Sequence, residues 1–259
     1  MTDPPGRQAA IRAAPATANP SPSLPGRVLL VATRSGHKLA ELRALLALPG
    51  TRLIDLDEAG IAEESPEEGS TFDTNAMFKA RFYGELSGLP TLADDSGIEV
   101  DALGGGPGVR TRRYAGEGAT DAENNAKLLR ELAGLPAERR TARYRCTLAL
   151  WEPEERGSAP GHGAGSGGIA PAGGGSSTTA APATGGAGRP TVRHGSFEGR
   201  IAAGPRGTGG FGYDPIFEPL TEPVGGRTVG LYSQDEKNRV SHRARAARAM
   251  RRVLVSRGY

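Results

Sequence analysis

Hydrophobic and polar positions along this chain fall into two rhythms, one of strands and one of helices. Val28-Leu29-Leu30-Val31-Ala32 is an uninterrupted apolar run that predicts a buried strand, and Arg52–Leu56 predicts a second. Between them Leu39, Leu42, Leu45 and Leu46 return at helical spacing, behind the polar loop Thr33-Arg34-Ser35-Gly36-His37-Lys38. A further helix opens at Ser70, whose hydroxyl can cap it with Asp73 three residues on; it sets Asn75 and Lys79 four apart on one face. Leu92-Ala93 leads into Asp94-Asp95-Ser96-Gly97 and out through Ile98–Ala102, which predicts strand, tight turn, strand, with the glycine supplying the turn. Thr120-Asp121-Ala122-Glu123 is a capping box ahead of Leu128, Leu129 and Leu132, and Gly134 and Pro136 close that helix.

Ala142, Tyr144, Cys146, Leu148 and Leu150 alternate with Arg143, Arg145, Thr147 and Ala149, the pattern of a half-buried strand with Cys146 on its core side. Thr191–Phe197 repeats the alternation, so the stretch between the two strands reads as an overgrown hairpin tip. The last helix begins at Ser241-His242-Arg243, with Ala246, Met250, Val253 and Leu254 inward and Arg245, Arg248, Arg251 and Arg252 outward.

Composition narrows the class. Of 259 residues 37% are apolar and 24% charged, as in a soluble globular protein. A net charge of +3 falls far short of the basic excess of a dedicated nucleic-acid binder, so no nucleic-acid partner is expected. No apolar run approaches the ~20 residues that span a bilayer, so no membrane role is expected either. The lone Cys146 excludes an internal disulfide framework and fits a reducing, cytoplasmic setting. Residues 1–24 are Pro- and Ala-rich without an apolar signal core, and read as a disordered tail. Residues 157–188 hold 12 glycines, one large apolar residue (Ile169) and no charged side chain except histidine, a composition that cannot offset the entropy of ordering. What remains of 25–259 without that insertion is roughly 200 residues, enough for one domain with a real core.

Four stretches carry candidate chemistry. Thr33–Lys38 joins a strand to a helix N-terminus, where backbone N–H groups and the helix dipole favour an anion and Lys38 adds a formal charge; an ordinary strand-to-helix turn with a solvated lysine has the same look. Asp94 and Asp95 at a strand end can hold a hard cation or activate water, although Asp-Asp-Ser-Gly also suits an acidic surface turn. Gly207–Phe217 surrounds Phe211 with glycines, which lets a ring and backbone approach a flat ligand, with Asp214 available for its edge. His242 and Arg243 are cations in a first helical turn, where they oppose the dipole; an acceptor-rich ligand there, served also by Lys237, would account for them. His162 and His194 have no ligand-spaced partners and are given no metal role.

In this order the segments resemble the inosine/xanthosine triphosphate pyrophosphatase family, enzymes that hydrolyse deaminated purine nucleoside triphosphates. The matching stretches are Thr33–Lys38, Glu67-Glu68-Gly69-Ser70-Thr71-Phe72 with Asn75 and Lys79, Ala93–Gly97, Val100–Gly108, Gly209–Phe217, and Lys237 with Ser241-His242-Arg243. The resemblance runs from Val28 into the C-terminal helix. It implies a single two-lobed α/β domain with a long, twisted mixed sheet, helices on its flanks, the active cleft between the lobes, and a homodimer. It further implies that Thr33, Arg34, Ser35, Gly36, His37 and Lys38 form a phosphate loop and that Glu67 and Asp95 hold Mg²⁺, Asp95 also serving as the base. Lys79 and Ser96 would contact substrate, and Phe211, Gly212, Tyr213, Asp214, Lys237, His242 and Arg243 would recognise the purine. Pyrophosphatases of modified pyrimidine or 7-methylguanine nucleotides fit the last two segments less well, and a catalytically silent binder would not retain both Lys38 and Asp95. Three departures stand out: Val229-Gly230-Leu231 where the family commonly has Ala-Glu-Leu, the long 157–188 tract, and the N-terminal extension.

Overall fold

A computed structural model of the chain describes residues 26–66, 69–153 and 190–259; the expected tail 1–24, the 157–188 insertion with His162, and Glu67 lie outside them. The elements are β1 (Arg27–Val31), α1 (Gly36–Leu46), β2 (Thr51–Ile54), α2 (Phe72–Ser87), β3 (Thr91–Val100), α3 (Asp121–Glu131), β4 (Thr141–Trp151), β5 (Thr191–Ile201), β6 (Phe217–Pro219), α4 (Gln234–Val240) and α5 (His242–Ser256). One six-stranded sheet runs in the order β2-β1-β3-β4-β5-β6. β1 lies parallel to β2 and β3, and every pairing from β3 to β6 is antiparallel, so the sheet is mixed as expected.

Strand alternation divides the apolar side chains between two faces. Leu29 and Val31 of β1, Leu92 of β3 and Cys146, Leu148 and Leu150 of β4 meet Leu39, Leu42 and Leu46 of α1 and Ala246, Met250 and Leu254 of α5. Leu30, Ala93, Ala149 and Trp151 look the other way, onto Ala76, Ala80 and Tyr83 of α2. Toward the far ends of β3, β4 and β5 a third core gathers Ile98, Val100, Tyr144, Phe197, Ile201 and Phe217 around Leu128 and Leu132, and this is the second lobe. Val229 is buried within it, and Gly230, where the family commonly has Glu, is buried beside it with Arg206 O 2.7 Å from where a Cβ would stand.

Two expectations need correction. Asp94-Asp95-Ser96-Gly97 is not a turn. Each of these residues pairs across to β4, Asp94 with Leu148 through Gly97 with Arg145, and the strand ends at Val100 before a 3-10 turn at Asp101–Leu103. Gly97 serves close approach instead: a Cβ there would meet Gly108 O at 2.6 Å and Phe72 Cε1 at 2.9 Å, so its absence lets the 3-10 segment Gly108–Arg113 close onto β3. α2 is capped one residue later than expected. Thr71 Oγ1 accepts from Thr74 N, and Thr74 Oγ1 accepts from Thr71 N, a reciprocal cap that leaves Ser70 outside. Asp73 turns to the Thr147 hydroxyl and the His194 ring.

Candidate active site

Adjacent residues on a strand point to opposite faces, and this sends the two aspartates into different surroundings. Asp95 faces α2. Its Oδ2 accepts from Asn75 Nδ2 at 3.2 Å and its Oδ1 faces Lys79 Nζ at 3.2 Å, so the four-residue spacing on α2 delivers both partners to one carboxylate. Burial pushes the Asp95 carboxyl above the ordinary aspartate value, against the opposing pull of Lys79 and Lys38. A carboxylate whose charged form is disfavoured holds a proton more strongly, which is what a base for water requires.

Asp94 faces α1 and α5 with a side chain that has no exposed surface. Lys38 Nζ lies 2.7 Å from its Oδ1 and Arg243 Nε 2.8 Å from its Oδ2, while the Ser96 hydroxyl and Cys146 thiol also donate to it. Burial opposes its ionisation, yet Arg243 and Lys38 hold it well below the ordinary value. Both oxygens are thereby committed to protein cations. Cys146 is a core residue, its thiol pushed far up by burial and by Asp94.

The ion pairs continue inward. Arg243, 1% exposed, reaches Glu41 Oε2 at 2.6 Å; Glu41 meets Lys237 at 2.9 Å, and Lys237 meets Asp214 at 2.7 Å. Glu41 was not legible as a functional residue, because a Glu one turn beyond Lys38 reads as an ordinary exposed helical pair. The Asp214 carboxylate also accepts from the Tyr144 hydroxyl and from Phe211 N, so it fixes the loop that presents Phe211. Tyr213 is buried, with its hydroxyl on Thr111 O, and Gly212 is tied to Asp121 and Asn125 of α3. His242 is stacked on Tyr144 at 4.6 Å, and burial together with Arg243 keeps it neutral with its Nδ1 unpartnered. The charge expected of His242 is therefore absent, and that of Arg243 is balanced inside the protein.

Two helix N-termini converge here. At α1, Ser35 caps through Lys38 N, and Thr33 Oγ1 accepts from Ser35 N. Gly36 and His37 line the cleft, and their N–H groups have no acceptor among the described residues. At α5, Ser241 caps through Ala244 N. That helix start is drawn against β5 because Gly195 has no Cβ, which would fall 2.7 Å from Ala246 N and closer still to His242 O. Arg34 departs from the phosphate-loop expectation: its guanidinium binds Asp57, Glu64 and the carbonyls of Ile61, Ala62 and Glu63, clamping the acidic loop to the β1–α1 turn.

Every described residue expected at the site borders one cleft of about 500 Å³: Thr33 through Lys38, Lys79, Asp95, Ser96, Phe211 through Asp214, Lys237, His242 and Arg243. The cleft also takes in Asp94, the other half of the aspartate pair, and Glu64, Arg112 and Tyr83, which the sequence analysis did not single out.

The sequence profile of the Ham1 family matches this chain over residues 29–179 and 175–253. The chain belongs to the Ham1 family. A dITP/XTP pyrophosphatase of Geobacillus kaustophilus is 41% identical over 219 residues, 84% of this chain and 89% of that protein. Another, from Geobacter sulfurreducens, is 42% identical over 84% of this chain and 92% of its own length. Among solved structures, a HAM1 protein from Coxiella burnetii superposes with a TM-score of 0.69 at 36% identity, covering 89% of this chain and 99% of that one. The fold is thus shared over nearly all of that structure.

Proposed function

We propose that this chain hydrolyses deaminated purine nucleoside triphosphates (dITP, ITP and XTP) to the monophosphate and pyrophosphate, cleansing the nucleotide pool of the cytoplasm. The relatives named dITP/XTP pyrophosphatase support the substrate class. The observation that carries the reading is Asp95: a buried, proton-hungry carboxylate steadied by Asn75 and Lys79 on the wall of a cleft that two helix N-termini also border.

Asp95, ionised, takes a proton from water as that water attacks the α-phosphorus; the bond from that phosphorus to the bridging oxygen breaks, and pyrophosphate leaves. The free N–H groups of Gly36 and His37, with Lys38 and Lys79, hold the phosphate oxygens. Lys38, Lys79, Lys237 and Arg243 already face Asp94, Asp95, Glu41 and Asp214. A triphosphate bringing roughly three to four negative charges therefore needs a further cation, and Mg²⁺ fits. Among the described residues no cluster of three potential metal ligands occurs. Asp95 and Glu67 would hold the ion, and when bound it would polarise the phosphoryl oxygens.

Among the described residues, four of the five N–H bonds of Arg243 serve Asp94, Glu41 and Ser96, leaving one on Nη1, and the backbone N–H groups of His242 and Arg243 find no acceptor at the start of α5. Donors suit the 6-carbonyl of hypoxanthine or xanthine and are left unpaired against the 6-amine of adenine. A second copy of this chain is the expected partner. The stripe Phe78, Phe82 and Leu86 on the outer face of α2, with Phe78 48% and Leu86 47% exposed, supports a homodimer. Replacing Asp95 by Asn tests the chemistry: pyrophosphate release from ITP should fall about 10²–10⁴-fold with substrate still bound, and unchanged turnover would remove Asp95 as the base.

A further inference from the structure

His37 was placed with the phosphate loop, but its ring does something else. It lies across the cleft on Phe211, ring centroids 5.6 Å apart and planes 18° from parallel. The two rings come from opposite sides of the site, His37 from the first turn of α1 and Phe211 from the loop before β6. Their supports differ. Phe211 is half-buried and fixed: its N–H donates to Asp214, the next residue is tied to α3 through Asp121 and Asn125, and Lys237 Nζ sits 4.1 Å from its ring centroid. His37 is exposed, and among the described residues its side chain makes no hydrogen bond or ion pair, only the stack.

A fixed ring and an untethered ring facing each other form a clasp. Aromatic carbons touch at about 3.5–4.0 Å, so a base held between two rings needs about 7 Å between their planes, more than the present separation leaves. We propose that a purine enters by displacing His37 from Phe211, and that His37 then closes over the outer face of the base, making it the second wall of the purine site. This deepens the pyrophosphatase reading and rests on it. Stacking accepts any π face, so His37 would add affinity for every purine without choosing among them, and the choice stays with the polar edge contacts.

The test separates base from phosphate. The wild-type chain, His37→Ala and His37→Phe are titrated with Mg²⁺ and either the α,β-methylene analogue of ITP or inorganic tripolyphosphate, and ITP turnover is measured alongside. His37→Ala should weaken the analogue roughly fivefold to a hundredfold, the range expected for one base–aromatic stack, and raise KM while kcat stays within about twofold. Tripolyphosphate binding should not change, and His37→Phe should restore the analogue. Equal weakening of both ligands would return His37 to the phosphate loop and overturn the proposal, and so would unchanged binding of the analogue. If wild-type protein neither turns over ITP nor binds either probe, the pyrophosphatase reading itself fails, an outcome distinct from a defect confined to the variants.

Discussion

Asp94 and Asp95 are one bond apart and have opposite duties, which shows how far a strand can separate neighbours. Asp95 must be ionised to act, and burial raises its carboxyl above 3.8. As pH falls through that raised value the base becomes protonated, so the acid limb of kcat/KM should lie above the usual aspartate range, and Asp95→Asn should remove the limb with the activity. Asp94 has the reverse sign. Its folded value is depressed, so its pairing stabilises the protein at neutral pH and is lost only as pH falls from 3.8 downward through the folded value. Asp94→Ala leaves Arg243 and Lys38 facing a carboxylate that is gone, and breaking a buried pair this way costs about 3–5 kcal/mol. Urea unfolding monitored by circular dichroism should register a loss of that size; a loss under about 1 kcal/mol would mean the network relaxes without it.

At the scale of elements, periodicity was a good guide where packing follows it. The helical leucines of α1 and the capping box of α3 describe elements as they stand, whereas the alternation of β4 holds only to Arg145: from Cys146 to Trp151 both faces are buried, because α2 covers the side that Thr147 and Ala149 face. Punctuation misled where a residue type serves two ends. Ser-Gly in β3 looks like a turn, but Gly97 is there for the close passage of Gly108 and Thr111. Ser70 and Thr71 both offer a hydroxyl, and only Thr71 finds Thr74 at the right offset for a reciprocal bond. Thr71→Ala should therefore lower stability by about 1 kcal/mol, and Ser70→Ala by a few tenths at most; thermal unfolding of the two variants ranks them, and the reverse order would restore the earlier cap. The expected site residues could be named from their motifs even where, like Lys79 in α2 and Asp95 and Ser96 in β3, they sit inside regular elements. Glu41 and Tyr144 could not, since no motif marks them and each gains its role only when sheet order and helix docking bring it to the cleft, and Asp121 read only as part of a helix cap.

At the scale of the whole molecule, one sheet carries two lobes, and β3 and β4 run through both, so the cleft forms where their cores part. β4 and β5 pair up to Leu150 opposite Thr191, which closes the hairpin on the body side of the 157–188 insertion. Replacing that insertion with a short Gly-Ser turn should leave kcat/KM within a few-fold, because closing a shorter loop costs less entropy and the paired strands keep their register. A large loss would make the insertion part of the site. Which bond breaks, and in which nucleotides, is read by incubating the wild-type chain with Mg²⁺ and ITP, XTP, dITP, ATP or GTP and resolving the products by ion-exchange chromatography. Monophosphate and pyrophosphate should form from ITP, XTP and dITP, with ATP and GTP nearly untouched. Diphosphate and inorganic phosphate as products, or equal turnover of ATP and GTP, would contradict the pyrophosphatase reading.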